Sequence, residues 1–190
     1  KFTKREADIL VGTQMIAKGH DFPFVTLVGI LDADMSLHFS DFRSSERTFQ
    51  LLTQVAGRSG RSTEKGKVVL QTYFPKNFVY NLVANYDFKR FYDKEINLRE
   101  TTMFPPFSKI VRILLTATNE DKVKDKTHEA FMKMKELRIN YLEDFYFLEA
   151  MKAPINKIKD KYRFQIVCRF STERENEIIN KIFRIVEEIQ

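Results

Sequence analysis

The chain has 190 residues, enough for one or two domains at roughly 100–200 residues each. Apolar residues make up 43% and charged residues 31%, which excludes a wholly disordered chain. Lys+Arg 32 against Asp+Glu 26 gives a net charge of +6, a balance that permits a polyanionic partner without requiring one. One cysteine, Cys168, excludes a disulfide framework and a structural zinc site built from cysteines of this chain. No run approaches the ~18 apolar residues of a membrane span, and Lys1-Phe2-Thr3-Lys4-Arg5 lacks a signal peptide's apolar stretch, so a reducing, cytoplasmic setting is expected. The sequence opens on Lys1 without an initiator Met and almost at once enters an apolar run, which leads to the expectation of a piece of a longer protein.

In chain order, Asp8–Gly12 is a short apolar run ending in glycine, the pattern of a buried strand. Thr13–Gly19 reads as a polar turn or short helix. Val25–Leu31 is apolar at nearly every position, as buried parallel strands are. Ser40 and Asp41 offer N-caps for a helix running to about Ala56, with Phe49, Leu52 and Ala56 on one face. Gly57–Gly66 is a glycine-punctuated loop and Lys67–Thr72 a third strand. This alternation predicts a parallel α/β layer over residues 1–74. Pro75 ends it. Asn77–Leu98 reads as one or two helices, with Phe78, Leu82, Tyr86, Phe88, Phe91 and Tyr92 as apolar stripes, inside a helical connector at 75–104. Pro105-Pro106 marks the boundary of a second domain, 105–190. There Lys109–Thr118, Phe145–Lys152 and Tyr162–Phe170 read as strands and Asp121–Arg138 and Glu173–Ile189 as helices, the last with Ile178, Ile182, Ile185 and Ile189 on one face. The order β-α-β-β-α is one strand short of the split ferredoxin-like repeat.

Two segments carry chemistry. Thr13-Gln14-Met15-Ile16-Ala17-Lys18-Gly19-His20-Asp21-Phe22-Pro23 follows a predicted strand, outside whose carboxyl end open parallel sheets bind ligands. Gln54-Val55-Ala56-Gly57-Arg58-Ser59-Gly60-Arg61 delivers two arginines, three apart, into a glycine loop. Glycines allow close backbone approach, and guanidinium groups stay charged and bind oxyanions bidentately, so the pattern suits polyphosphate. A surface turn with solvated arginines is the plainer alternative.

The two segments resemble motifs V and VI of superfamily 2 helicases. The motif VI pattern Gln-x-x-Gly-Arg-x-Gly-Arg is matched in full by Gln54, Gly57, Arg58, Gly60 and Arg61. The fuller strings Asp8–Pro23 and Asp41–Arg61 resemble the primosomal protein N′ family of bacterial replication-restart helicases. Pro105-Pro106-Phe107, Ala153-Pro154-Ile155 and Tyr162-Arg163-Phe164-Gln165 resemble that family's C-terminal domain more loosely. The resemblance implies part of a second RecA-like helicase lobe, followed by a ferredoxin-like α+β domain whose last strand is missing.

It also implies roles. Arg61 is the expected arginine finger at the γ-phosphate, with Arg58 as partner and Gln54 coupling nucleotide to lobe position. Gly19 and Asp21 correspond to the pair at the ATP ribose, and Thr13, Gln14 and Lys18 lie where the family couples ATP state to the DNA backbone. The implied parent hydrolyses ATP with Mg²⁺, moves 3′→5′ on DNA, recognises abandoned forks and reloads the replicative helicase. Its partners would be forked or single-stranded DNA, single-strand DNA-binding protein and primosome loading proteins, in a nucleoid-associated cytoplasmic setting. The departures are as informative. No G-x-x-x-x-G-K-[ST] and no D-E-x-H box occur; Gly60–Lys67 has the wrong spacing and is followed by Val68 where Ser or Thr should hold magnesium. The family's zinc cysteines are absent as well. The chain alone is therefore expected to be inactive as an ATPase, with no cofactor of its own and the parent's zinc outside it. A DNA- or protein-binding module, and a piece of a fork-reversal or repair-coupling translocase, remain alternative readings.

Asp32 and Asp34 end a strand, but no third ligand follows at metal spacing, so capping and solvation are expected. His20 and His38 read as loop residues, His128 as a surface helix residue and Cys168 as core. Lys152, Lys157, Lys159, Lys161 and Arg163 crowd a segment with one acid, Asp160, in which Pro154 and Asn156 favour a hairpin. It reads either as a solvated turn or as a finger contacting DNA phosphates.

Overall fold

Two parallel strands form the sheet of the first part of the chain: β1 (Leu27–Ile30) pairs with β2 (Lys67–Leu70), in register from Leu27↔Lys67 to Ile30↔Leu70. The structure, a computed structural model, describes residues 1–13, 24–39, 41–57 and 66–189. It divides into two units, Lys1–Ile96 and Asn97–Gln190. The division falls inside a helix, within the span expected to be a connector.

In the first unit α1 (Ser44–Ala56) follows a 3₁₀ turn at Ala33–Ser36, and α2 (Phe78–Ala84) and α3 (Phe88–Thr101) follow β2. The expected spacing holds, since Phe49, Leu52 and Ala56 are all buried along one side of α1. Phe49 stacks on Phe91 at 4.2 Å between ring centroids, and Leu52, Val79, Leu82 and Val83 complete this core. Asp41 organises the start of α1 differently from a simple cap. Its carboxylate accepts the Arg43 N–H at 2.9 Å and pairs with Arg47 at 2.9 Å, while Ser44 Oγ donates to the Phe39 carbonyl. Ser40 lies outside the described residues. Asn77 caps α2 as a short polar side chain can, Oδ1 accepting from the Val79 N–H at 3.0 Å.

Two strand expectations need correction here. Asp8–Gly12 forms no strand; Ile9 and Val11 are 80% and 85% exposed. An apolar run becomes a strand only when a neighbour completes its ladder, and among the described residues β1 pairs with β2 alone. Val25–Leu31 contributes only four strand residues, whose burial alternates rather than running continuously. One face, through Ile30 and Leu70, packs on the helical core; the other keeps Leu27 exposed.

The second unit holds β3 (Lys109–Ala117), α4 (Glu120–Asn140), β4 (Phe145–Ile158), β5 (Lys161–Phe170) and α5 (Glu175–Ile189). Its sheet order is β3-β5-β4, antiparallel at both pairings, so β3 and β4 run parallel with β5 between them. That is the expected split β-α-β arrangement. Both helices cover one face: Met134 and Leu137 from α4 and Ile178 and Ile182 from α5 meet Cys168 and Phe170. Ile178, Ile182 and Ile189 are buried and Ile185 half-buried, as the isoleucine stripe predicts. Asn119 caps α4 by accepting the Lys122 N–H at 2.9 Å. Cys168 is fully buried beneath the helices, and burial pushes its thiol up to about 12. The Pro105–Pro106 peptide is cis.

The hairpin is longer than the sequence suggests. β4 continues to Ile158 and turns through Lys159 and Asp160, both at positive φ, straight into β5. Pro154 and Asn156 are accommodated because the register jumps there: Lys152 pairs with Phe164 and Lys157 with Tyr162. Such an irregularity frees the proline from ladder duty. No helix among the described residues is long and apolar enough to cross a membrane.

Candidate functional site

At the carboxyl ends of β1 and β2 the two following loops are stitched together. Gln71 N–H donates to the Ile30 carbonyl and Ala33 N–H to the Gln71 carbonyl, at 2.9 and 3.0 Å. Between them sits Asp34, 1% exposed. Its carboxylate accepts Thr72 Oγ1 and the Tyr73 N–H, each at 2.7 Å, and the Tyr80 hydroxyl. Burial alone would raise its pKa, but the Tyr80, Thr72 and Tyr73 hydrogen bonds and nearby His38 outweigh it and leave the carboxyl below its ordinary value. Burial and the Asp34 charge push the Tyr80 phenol up to about 12. The expectation that Asp32 and Asp34 are capping and solvated groups is therefore corrected at Asp34, which ties three chain segments together. Asp32 adopts positive φ with no capping side-chain bond. Among the described residues no group of three or more His, Cys, Asp or Glu side chains could hold a metal ion.

The motif VI helix is α1. It exposes Gln54 on the side opposite Phe49 and Leu52, and Gly57 closes its C-terminus with its N–H on the Thr53 carbonyl at 3.0 Å. Gly57 has φ −69°, and a Cβ there would meet the Thr53 carbonyl oxygen at 3.4 Å, an ordinary contact. The backbone at this glycine is thus helical, and no bend demands its freedom. Thr13 is exposed. Arg58 and Arg61, and the predicted Gln14, Lys18, Gly19 and Asp21, lie outside the described residues. Asp8–Gly12, the strand expected to precede residues 13–23, is not a strand. His38 packs edge-on against Phe74, His128 is exposed on α4, and His20 lies outside the described residues.

In the second unit the predicted basic cluster separates into engaged and unengaged cations. Lys152 lies at the base of the hairpin and pairs with Glu120 of α4 at 2.9 Å. Lys157 pairs with Asp160 at 3.4 Å and lies 4.9 Å from the Tyr162 ring centroid. Arg163 donates to the Ile155 carbonyl at 3.2 Å. Lys159 and Lys161 flank the tip, both exposed, and have no ion pair among the described residues. Ile155 and Ile158, on the β4 side of the hairpin, are exposed. The last β3 pairing is Ala117↔Tyr162, so only Ile158–Lys161 reach beyond the three-stranded sheet, and this short tip carries two cations with no ion pair among the described residues.

Comparison with known proteins places these features in a family context. The primosomal protein N C-terminal domain matches residues 100–189, nearly the whole second unit, and the helicase conserved C-terminal domain matches residues 1–63. The replication restart protein PriA of Bacillus subtilis (strain 168) is 44% identical over 175 residues, which are 92% of this chain and 21% of that protein. The replication restart proteins PriA of Rickettsia felis and Borreliella burgdorferi are 41% and 36% identical, over 85% and 88% of this chain and 24% and 25% of those proteins. The chain thus spans about a quarter or less of the curated relatives it matches.

Proposed function

We propose, from its likeness to the PriA replication restart proteins, that the chain is the C-terminal part of an ATP-driven DNA helicase that recognises abandoned replication forks and assembles the primosome on them. The observation that carries this reading is the complete string Gln54, Gly57, Arg58, Gly60, Arg61 at and beyond the C-terminus of α1.

In this reading Arg61 meets the γ-phosphate of ATP as the bond to the leaving group breaks, with Arg58 beside it and Gln54 linking nucleotide to lobe position. Guanidinium charge there stabilises the transition state rather than the bound nucleotide, and such a finger is worth about 10³–10⁵ in rate. Gly19 and Asp21 meet the ribose, and Thr13, Gln14 and Lys18 pass the nucleotide state to the DNA backbone. These residues fit one side of a bound ATP–Mg²⁺ only: the sequence has no phosphate-gripping Lys–Ser/Thr pair, and the described residues offer no metal cluster. Magnesium, when bound, neutralises charge developing on the phosphates; its ligands would come from another lobe, and zinc from cysteines this chain does not carry. The hairpin tip at Lys159 and Lys161 contacts DNA phosphates without reading sequence. Single-strand DNA-binding protein and primosome loading proteins are the partners this function requires.

The test uses the full-length protein. DNA-dependent ATP hydrolysis and strand displacement on forked DNA in the 3′→5′ direction are expected. Hydrolysis indifferent to DNA, or displacement of opposite polarity, would overturn the reading.

A further inference from the structure

Asp34 is the most deeply buried carboxylate among the described residues. Three neutral donors hold it: the Thr72 and Tyr80 hydroxyls and the Tyr73 N–H. A buried carboxylate is costly to desolvate, and apolar side chains of similar volume often serve stability as well. A link that only holds these segments together therefore needs no charge. What a carboxylate adds is direction, because its oxygens accept several donors at set positions. Thr72 Oγ1 extends the arrangement by accepting the Phe74 N–H at 2.9 Å.

The donors and the main chain of Asp34 together form the seat of α1. Ala33 is buried in one core with Phe49 and Leu52 of α1 and Val79 and Tyr80 of α2. The Asp34 carbonyl accepts the Leu37 N–H at 2.8 Å and the His38 N–H at 3.2 Å, which fixes the turn leading to α1. The next residue, Phe39, accepts Ser44 Oγ at 2.7 Å, where α1 begins. α1 thus rests on groups that Asp34 holds, both at its first residue and along its inner face. Close-packed interiors transmit a displacement instead of absorbing it. Gln54 and Gly57 stand at the far end of this helix. The clamp itself lies at the carboxyl ends of β1 and β2, the edge where open parallel sheets bind ligands.

We propose that Asp34 is a positioning residue for ATP hydrolysis: through Thr72, Tyr80 and the seat of α1 it sets where the string that begins at Gln54 meets the phosphates. The proposal rests on the reading of that string as the part of a helicase lobe that meets ATP, and deepens it. Asp34 touches no substrate in this role; it acts only by placing α1.

The test is the steady-state ATPase of the full-length protein on saturating single-stranded DNA, followed with radiolabelled ATP so that slow variants stay measurable. Asp34→Asn sets an amide donor among three donors. It should lower kcat by about 100-fold, the loss that a misplacement of about 1 Å brings, with little change in KM for ATP. Thr72→Val keeps the shape and removes one donor, and should lower kcat about tenfold. Thr72→Ser, which keeps the hydroxyl, should restore that loss. Tyr80→Phe removes a donor from the α2 side and serves where Asp34→Asn does not fold. In an Arg61→Ala background Asp34→Asn and Tyr80→Phe should lower kcat no further, because the group they would misplace is already gone. Damage of a merely structural kind lowers the active fraction alike in both backgrounds. Equal fold losses in both, or wild-type kcat in Thr72→Val and Tyr80→Phe, would overturn the positioning role and spare the reading of the string. Near-normal kcat in Arg61→Ala alone would overturn that reading, and this inference with it.

Discussion

Reversing both Lys159 and Lys161 to Glu removes the two hairpin cations with no ion pair among the described residues. The five basic residues of this segment are not equivalent. Lys152 is held by Glu120 and Arg163 by the Ile155 carbonyl, whereas Lys157 shares itself between Asp160 and the Tyr162 ring. Each duplex phosphate neutralised contributes about −0.9 to the slope of log K against log salt, so the double reversal should flatten that slope by about 1.8. Near 0.1 M salt the same change weakens forked-DNA binding by about 60-fold, alike for all sequences. Lys157→Glu alone should do less than Lys159→Glu, because its contact with Asp160 already satisfies part of its charge. The assay is fluorescence anisotropy with forked DNA across a salt series. The control is Lys135→Glu with Lys181→Glu, which changes net charge equally from helices α4 and α5. A slope unchanged by the hairpin variant, or changed as much by the control, would refute the finger and leave a solvated turn or a protein contact.

Three further outcomes are expected. The purified chain should release no phosphate from ATP with single-stranded DNA present, because it has no Lys and Ser/Thr to hold phosphate and magnesium; turnover that survives repurification would contradict this. Ile178→Ala, in the core between α4, α5 and the sheet, should cost about 2–5 kcal/mol in urea unfolding, whereas Phe183→Ala on the exposed side of α5 should cost under about 0.5 kcal/mol. Asp34 has a folded pKa below its unfolded value, so its contribution to stability is complete above the ordinary carboxylate range and is lost as pH falls through the folded value. Urea unfolding from neutral to acid pH should show that loss in the wild type and a flatter acid limb in Asp34→Asn, which should be less stable at pH 7 because its amide faces three donors; identical profiles would remove Asp34 from the account.

How much of this was legible in the sequence depends on how far apart the interacting residues lie. The isoleucine stripe of α5 and the buried face of α1 are periodic, and the structure follows them. The split β-α-β order was legible as well, because element order alone restricts how three strands can pair. The role of Asp34 is not visible in the sequence, because its partners, Thr72, Tyr73 and Tyr80, lie on segments that only the fold brings to it. The composition of Asp8–Gly12 is that of a strand, but a strand also needs a neighbour, which composition does not display. Pro154 and Asn156 shortened the predicted β4, since a local reading cannot foresee a register jump that makes a proline harmless. Of the candidate site, Gln54 and Gly57 were legible as motif positions. That Gly57 would be helical was not, because glycine is compatible with both outcomes.

The most direct test of the central claim is the steady-state ATPase of the full-length protein with Arg61→Ala, on saturating single-stranded DNA. If the string at the end of α1 supplies the group that meets the γ-phosphate, kcat should fall by about 10³ or more while DNA affinity and nucleotide affinity change little. A mutant that keeps near-normal kcat would contradict that assignment and move the role to Arg58.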